Sequence, residues 1–209
     1  IMKSGLVKPE DMKGFAERIY NEARRLITLV EDIIKLSKLD EGNVQLEKEE
    51  VDLYKLTREI LTRLSPQAAK RKVHVEVTGE PVEYVGIRQI LDEMIYNICE
   101  NAIKYNHPGG KVTVKISQKK AEPDCSAPSV STDCAFVEVT DTGIGIPPEF
   151  QERIFDPFFR VDKSRSRAMG GAGLGLALVN EIARQHGGQL GRGHTQGADH
   201  LDDLQVLRL

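Results

Sequence analysis

The sequence predicts an α+β fold, a two-layer α/β sandwich in which a mixed sheet is covered by helices, preceded by a long bundle-forming helix. Three observations predict it. From about Asp11 to Leu39, Phe15, Ile19, Ala23, Leu26, Val30 and Ile33 recur in steps of three and four with charged residues between them, the pattern of an amphipathic helix. Beyond it, helical and alternating segments follow one another irregularly and include hairpins, unlike the strict strand–helix alternation of a doubly wound sheet. The short runs Val73, Val75, Val77 and Val112, Val114, Ile116 alternate as strands with one buried face do.

In the first helix Ile27, Leu29, Ile34 and Leu36 widen the apolar stripe beyond what one neighbour covers, so it calls for bundle partners. Asp40-Glu41-Gly42-Asn43 supplies turn residues, and Val44 to Glu47 alternates as a small strand. The domain boundary is placed here, giving a helical segment 1–42 and a second domain 43–209. Asp52 is the N-cap of a helix carrying Leu53, Leu56, Ile60, Leu61 and Leu64. An extended piece near Val82 to Tyr84 precedes a central helix from about Ile87 to Tyr105, and Pro108-Gly109-Gly110 turns into the next strand. Lys119 to Asp133 lacks periodicity and reads as an exposed hairpin loop, followed by the strand Phe136, Val137, Val139. A last helix opens after Gly170 and runs through His186.

At 209 residues and 40% hydrophobic content the chain is long enough for a large core. The net charge of −3 argues against a nucleic-acid binder. Cys99, Cys125 and Cys134 form no CxxC pair and suit a reducing, cytoplasmic setting. No apolar run reaches the ~20 residues of a membrane span. A membrane link is therefore expected only through upstream segments.

On a helix, Asn97, Asn101, Lys104 and Tyr105 share one polar edge, while Ile95, Ile98, Ala102 and Ile103 lie behind it. An amide oxygen at Asn101 suits Mg²⁺, which takes few protein ligands beside waters and phosphates, and Lys104 brings a point charge for those phosphates. Asp141 stands at a strand end, placed to accept a hydrogen bond, and Gly143 and Gly145 permit close backbone approach to a flat ring. Gly171, Gly173 and Gly175 open a helix, where amide N–H groups and the helix dipole favour an anion. The spacing is neither that of a Walker loop nor that of a dinucleotide fold. Arg160, Lys163, Arg165 and Arg167 precede them as a cationic loop. Each feature alone has a plain structural reading, as solvated amides, a tight turn or a charged loop.

Taken together and in this order, they resemble the catalytic core of bacterial two-component sensor histidine kinases, of the GHKL ATP-binding superfamily. The N box resembles Asn97 to Tyr105, the G1 box Asp141 to Gly145, the F box Phe155 to Phe159 and the G2 box Gly171 to Leu176, so Leu174 falls within it. The resemblance implies ATP and Mg²⁺ as cofactors, with Asn101 and Asn97 serving the metal, Lys104 the phosphates and Asp141 the adenine N6. Tyr105 would pack by the nucleotide, and Arg160 to Gly171 would be the ATP lid. It also implies a homodimer formed through a helical hairpin, of which this chain holds the second helix, and a response regulator receiver domain as partner. In hydrolysing relatives the residue four before the metal-binding asparagine is a glutamate; here it is Asn97, and an amide cannot act as a general base. Protein histidine kinase activity is therefore expected over a GHKL-type ATPase, a serine kinase or a non-catalytic nucleotide-binding module. Two departures stand out. None of His74, His107, His186, His194 or His200 has the H-box setting, so this fragment is expected to bind ATP without phosphorylating itself at the usual histidine. Gly191 to Gln205 also breaks the family's closing strand pattern, through divergence or a frameshift.

Overall fold

A computed structural model describes residues 8–40, 47–120, 133–161, 173–185, 189–196 and 201–208. Helix α1 spans Met12–Asp40, after a single 3-10 turn at Pro9–Asp11. It touches a helix near the C-terminus and leaves Ile19, Leu26, Ile27, Val30 and Ile34 exposed.

Of the strand expected at Val44 to Glu47, Val44 to Leu46 lie outside the described residues, and Glu47 is not in a strand. The strand β1 is Glu49–Asp52, pairing antiparallel with β3, Glu83–Gly86. Consecutive glutamates hide it from an alternation test, but Val51 is buried and fixes its register opposite Tyr84.

Helix α2, Leu53–Arg71, starts at the predicted cap, where the Asp52 carboxylate accepts the Lys55 N–H at 2.9 Å. Pro66 sits inside this helix and cannot bond the Thr62 carbonyl, but the Ser65 hydroxyl donates to that oxygen at 2.8 Å. The helix ends at Lys72, which takes the left-handed conformation (φ 58°) usually given to glycine. Strand β2, His74–Gly79, follows, and after β3 the helix α3 runs Arg88–Lys104.

Strands β4 (Lys111–Lys120) and β5 (Asp133–Asp141) form a long antiparallel hairpin, so Lys119, Lys120 and Asp133 of the expected loop belong to strands; the rest of it, 121–132, lies outside the described residues. Helix α4 is Gly175–Gln185, and β6 (Gln189–Gln196) and β7 (Leu201–Arg208) close the chain as a hairpin. Despite its departures from the family pattern, the closing stretch thus makes both strands. The sheet order is β2-β4-β5-β7-β6, with β2 parallel to β4 and the other pairs antiparallel, which makes it mixed.

Only one face of β4 is buried: Val112, Val114 and Ile116 are inside while Lys115 is exposed. Against that face pack Leu56, Ile60 and Leu64 of α2, Leu91, Ile95 and Ile98 of α3, and Val179 and Ile182 of α4 in one core. Each fully buried aliphatic side chain contributes roughly 1.5–3 kcal/mol. Two layers suffice, and they leave the C-terminal end of α3 facing the loop that follows β5. No described helix is long and apolar enough to cross a membrane.

Candidate functional site

The predicted residues converge because the core fixes α3 first. Ile98, Ala102 and Ile103 are buried, so the opposite edge of the helix carries Asn97, Asn101 and Lys104, all half-buried. Asn97 is anchored by its own amide, whose Nδ2 donates to the Glu93 carbonyl oxygen at 2.9 Å. Tyr105 closes the helix, its N–H donating to the Asn101 carbonyl at 2.9 Å, and the Lys104 ammonium lies 5.6 Å from the centroid of its ring.

The Asp141 loop docks on that helix end. Asp141 is buried, and its Oδ1 accepts the Gly143 N–H at 2.9 Å. The Ile144 N–H reaches the Tyr105 carbonyl at 3.2 Å. A side chain at position 143 would place its Cβ 2.5 Å from Asp141 Oδ1 and 2.9 Å from the Tyr105 carbonyl, so the approach requires glycine. Gly145 has φ 69°. The third glycine cluster comes in from the other side. A Cβ on Gly175 would stand 3.2 Å from Asn97 Oδ1, so the start of α4 abuts the asparagine. Gly173, at φ 78°, accepts the Phe158 N–H on its carbonyl at 3.0 Å, and Leu174 is buried beneath it.

Arg160 links the two sides. A Cβ on Gly173 would lie 3.2 Å from its Cγ, and its Nη2 is buried without a hydrogen-bond partner among the described residues. A buried guanidinium nitrogen left unpaired is costly, and an anion would satisfy it. The pKa of Lys104 is lowered, first by burial and then by the positive charges of Arg160 and Arg71, against the opposing pull of Glu100. Cations crowded together in this way prepare a place for negative charge.

Gly171, Lys163, Arg165 and Arg167 lie outside the described residues. Every other predicted site residue, Asn97, Asn101, Lys104, Tyr105, Asp141, Gly143, Gly145, Arg160, Gly173, Leu174 and Gly175, falls on the α3 end, the β5 loop or the approach to α4. No group of three or more His, Cys, Asp or Glu residues able to hold a metal occurs among the described residues. The cleft of about 500 Å³ lined by Arg58, Glu59, Thr62, Arg63, Arg88 and Asp92 shares no residue with this convergence.

Sequence reasoning missed a latch beside the site. Thr142 Oγ1 accepts the Lys111 N–H at 2.9 Å and donates to Asn106 Oδ1 at 3.4 Å, while Asn106 Nδ2 donates to the Lys111 carbonyl at 3.1 Å. Gly110 makes room, since a Cβ there would lie 2.0 Å from Asn106 Oδ1. It missed Arg71 as well, whose Nη1 donates to the Lys104 carbonyl at 2.8 Å.

Comparison with known proteins places the chain in a family. Residues 86–200 match the family described as histidine kinase-, DNA gyrase B- and HSP90-like ATPase. The chain is 34% identical over 187 residues to the sensor histidine kinase WalK of Bacillus subtilis, covering 85% of this chain and 28% of WalK. It is 35% identical over 184 residues to the sensor-like histidine kinase SenX3 of Mycolicibacterium smegmatis, covering 87% and 44%. It thus spans less than half the length of either relative. Among solved structures it resembles the mycobacterial sensor histidine kinase MprB, with a TM-score of 0.62 and 29% identity over 78% of this chain and 96% of that one.

Proposed function

Because the chain belongs to the histidine kinase-, DNA gyrase B- and HSP90-like ATPase family, we propose that it is the ATP-binding catalytic part of a sensor histidine kinase. It would transfer the γ-phosphoryl group of ATP to a histidine on a dimerisation hairpin, for relay to a response regulator receiver domain. The observation that carries this reading is the convergence of the Asn97–Tyr105 edge, the Asp141 loop, Arg160 and the start of α4 on one place, with cations facing one another there.

In this reading the adenine lies by Asp141, whose carboxylate accepts from the exocyclic amine, and Gly143 lets the backbone come close. Tyr105 packs beside the nucleotide. Lys104 and Arg160 draw the phosphates in, and the unpaired Nη2 of Arg160 gains an acceptor. Asn101, with Asn97, holds Mg²⁺, which when bound neutralises charge on the phosphate oxygens. The histidine nitrogen forms a bond to the γ-phosphorus as the bond from that phosphorus to the bridging oxygen breaks, and ADP leaves. The chain's own residues contribute mainly position and electrostatic complementarity.

Asn97 directs the outcome. Its amide is committed to the Glu93 carbonyl, and an amide does not take a proton from water, so hydrolysis lacks its base. The exposed stripe of α1 supports pairing with a second copy through a helical hairpin, with segment 1–42 as one half of that hairpin and 43–209 as the ATP-binding domain.

The test is to incubate the chain with γ-labelled ATP, Mg²⁺ and a separately supplied hairpin bearing the H box. Acid-labile, base-stable phosphohistidine on the hairpin is expected. Steady release of phosphate without it points to an ATPase, and binding without either points to a nucleotide-binding module. Asn101→Ala should lower transfer by about a hundredfold or more, the scale of losing a group that stabilises transition-state charge. Unchanged activity in that variant would remove Asn101 from the assignment.

A further inference from the structure

Helices α2 and α3 end side by side, and one side chain joins them. Arg71, the last residue of α2, donates from Nη1 to the carbonyl oxygen of Lys104, the last residue of α3, at 2.8 Å across 33 positions of sequence. That oxygen is among the final carbonyls of α3, which have no donor within the helix. A guanidinium at the negative end of the helix both satisfies it and complements the dipole. The backbone holds the same turn from beneath. Lys72, with φ 58°, presents its carbonyl to the Gly109 N–H at 2.7 Å, and the His74 N–H reaches the Gly110 carbonyl at 2.8 Å. The turn after α3 is thereby fastened to the turn after α2. It is this same turn that receives the Asp141 loop, through the bond from Ile144 N–H to the Tyr105 carbonyl.

Resting on the nucleotide reading above, we propose that Arg71 is a positioning residue for Lys104. It fixes the main chain from which the Lys104 side chain departs, and it adds positive charge behind the ammonium. The charged groups acting on that ammonium are Glu100 on its own helix, Arg160 from the segment before α4 and Arg71 from α2. Glu100 is the one acid of the three, so removing Arg71 shifts the balance toward it. One of the Arg71 N–H donors binds the protein's own carbonyl, and in this proposal the residue acts on the polyphosphate through Lys104.

A double-mutant cycle on the 209-residue chain tests this, with dissociation constants for Mg²⁺-ATP measured for the wild type, R71Q, K104Q and R71Q/K104Q, and unfolding midpoints recorded alongside. R71Q is expected to weaken ATP binding about tenfold in the wild-type background and less than about twofold once Lys104 is gone, the non-additivity of groups that act together. R71K, which keeps the charge and a donor, should restore most of the loss. The Lys104 ammonium, followed by NMR, should titrate at higher pH in R71Q than in the wild type. Equal losses with and without Lys104, no loss in R71Q, or a loss that tracks the unfolding midpoint and is not rescued by R71K would each overturn the inference. If the wild type binds no ATP, the nucleotide reading itself fails; a wild type that binds alongside an unaffected R71Q overturns only the role of Arg71.

Discussion

Near its N-terminus α3 meets α2 through matched charges, Arg88 on Glu59 and Asp92 on Arg63 at 2.6 Å, whereas at its C-terminus the same helix sets Lys104 among Arg160 and Arg71. The matched end is exposed to solvent, and each charge there has a ready counter-ion. The crowded end is half-buried, and burial is the first cause of the lowered Lys104 pKa. Glu100 is the one acid named as acting on the Lys104 ammonium there, against the two cations. One end thus matches each charge with its opposite, while the other gathers cations around a single acid, where the nucleotide reading puts the phosphates.

The largest break in that contrast should come from Gly143→Ala. The added Cβ would stand 2.5 Å from Asp141 Oδ1 and 2.9 Å from the Tyr105 carbonyl, so the loop must withdraw from the end of α3. ATP affinity is expected to fall by about a hundredfold, the scale of misplacing a site by about an ångström, with the unfolding midpoint changing far less. Calorimetric titration and thermal unfolding would check both. Next in size is Arg160→Gln. It removes the guanidinium whose buried Nη2 has no partner among the described residues, so ATP binding should weaken by about tenfold or more, while the ligand-free chain keeps or gains stability because a buried unpaired donor is gone. Arg160 belongs to the structure and not to a ligand site if stability drops and affinity holds.

A pH titration sharpens the same contrast. The folded pKa of Lys104 lies below its ordinary value of 10.5, so between the two values the unfolded chain holds more protons than the folded one. Stability of the ligand-free chain from this group therefore rises as pH passes upward through that window. ATP affinity should fall in the same window, because the neutral amine no longer attracts phosphate. Lys104→Met removes both slopes, and comparing it with the wild type isolates the group from everything else titrating there. An affinity that is flat with pH in the wild type would argue that Lys104 does not meet the phosphates.

The legible part of the site was local in sequence. Asn97, Asn101 and Lys104 could be read because one helix carries them, and Asp141, Gly143 and Gly145 because one turn does. Arg71 and the Asn106–Thr142 pair could not, since their contacts span 33 and 36 positions and their residue types are ordinary at helix ends and turns. The same limit applies to the fold. Strands β4 and β5 declare themselves by alternating valines and isoleucines, while β1 carries two glutamates and β7 an Asp-Asp pair. Those two are strands because of what they lie beside: β3 for one, β5 and β6 for the other. Tertiary pairing overrides local preference there.

The smallest effect is expected at the matched end. Arg88→Ala loses an exposed ion pair with Glu59, and such pairs contribute about 0–1 kcal/mol. Arg63→Ala should cost slightly more, because Arg63 also lies over the Tyr96 ring, 5.6 Å from its centroid, and an exposed cation–π contact adds about 0.5–1 kcal/mol. Its raised pKa, due first to the hydrogen bond with Asp92, reports a good partner, but exposure discounts the worth of that partner in stability. Neither substitution should move ATP affinity by more than about twofold, since no residue of this face lies in the convergence at the other end. Denaturant unfolding and ATP titration of both variants would measure the two quantities separately. If Arg63→Ala weakened ATP binding as much as Arg160→Gln does, the helix would be passing charge effects along its length, and the division between its two ends would not hold.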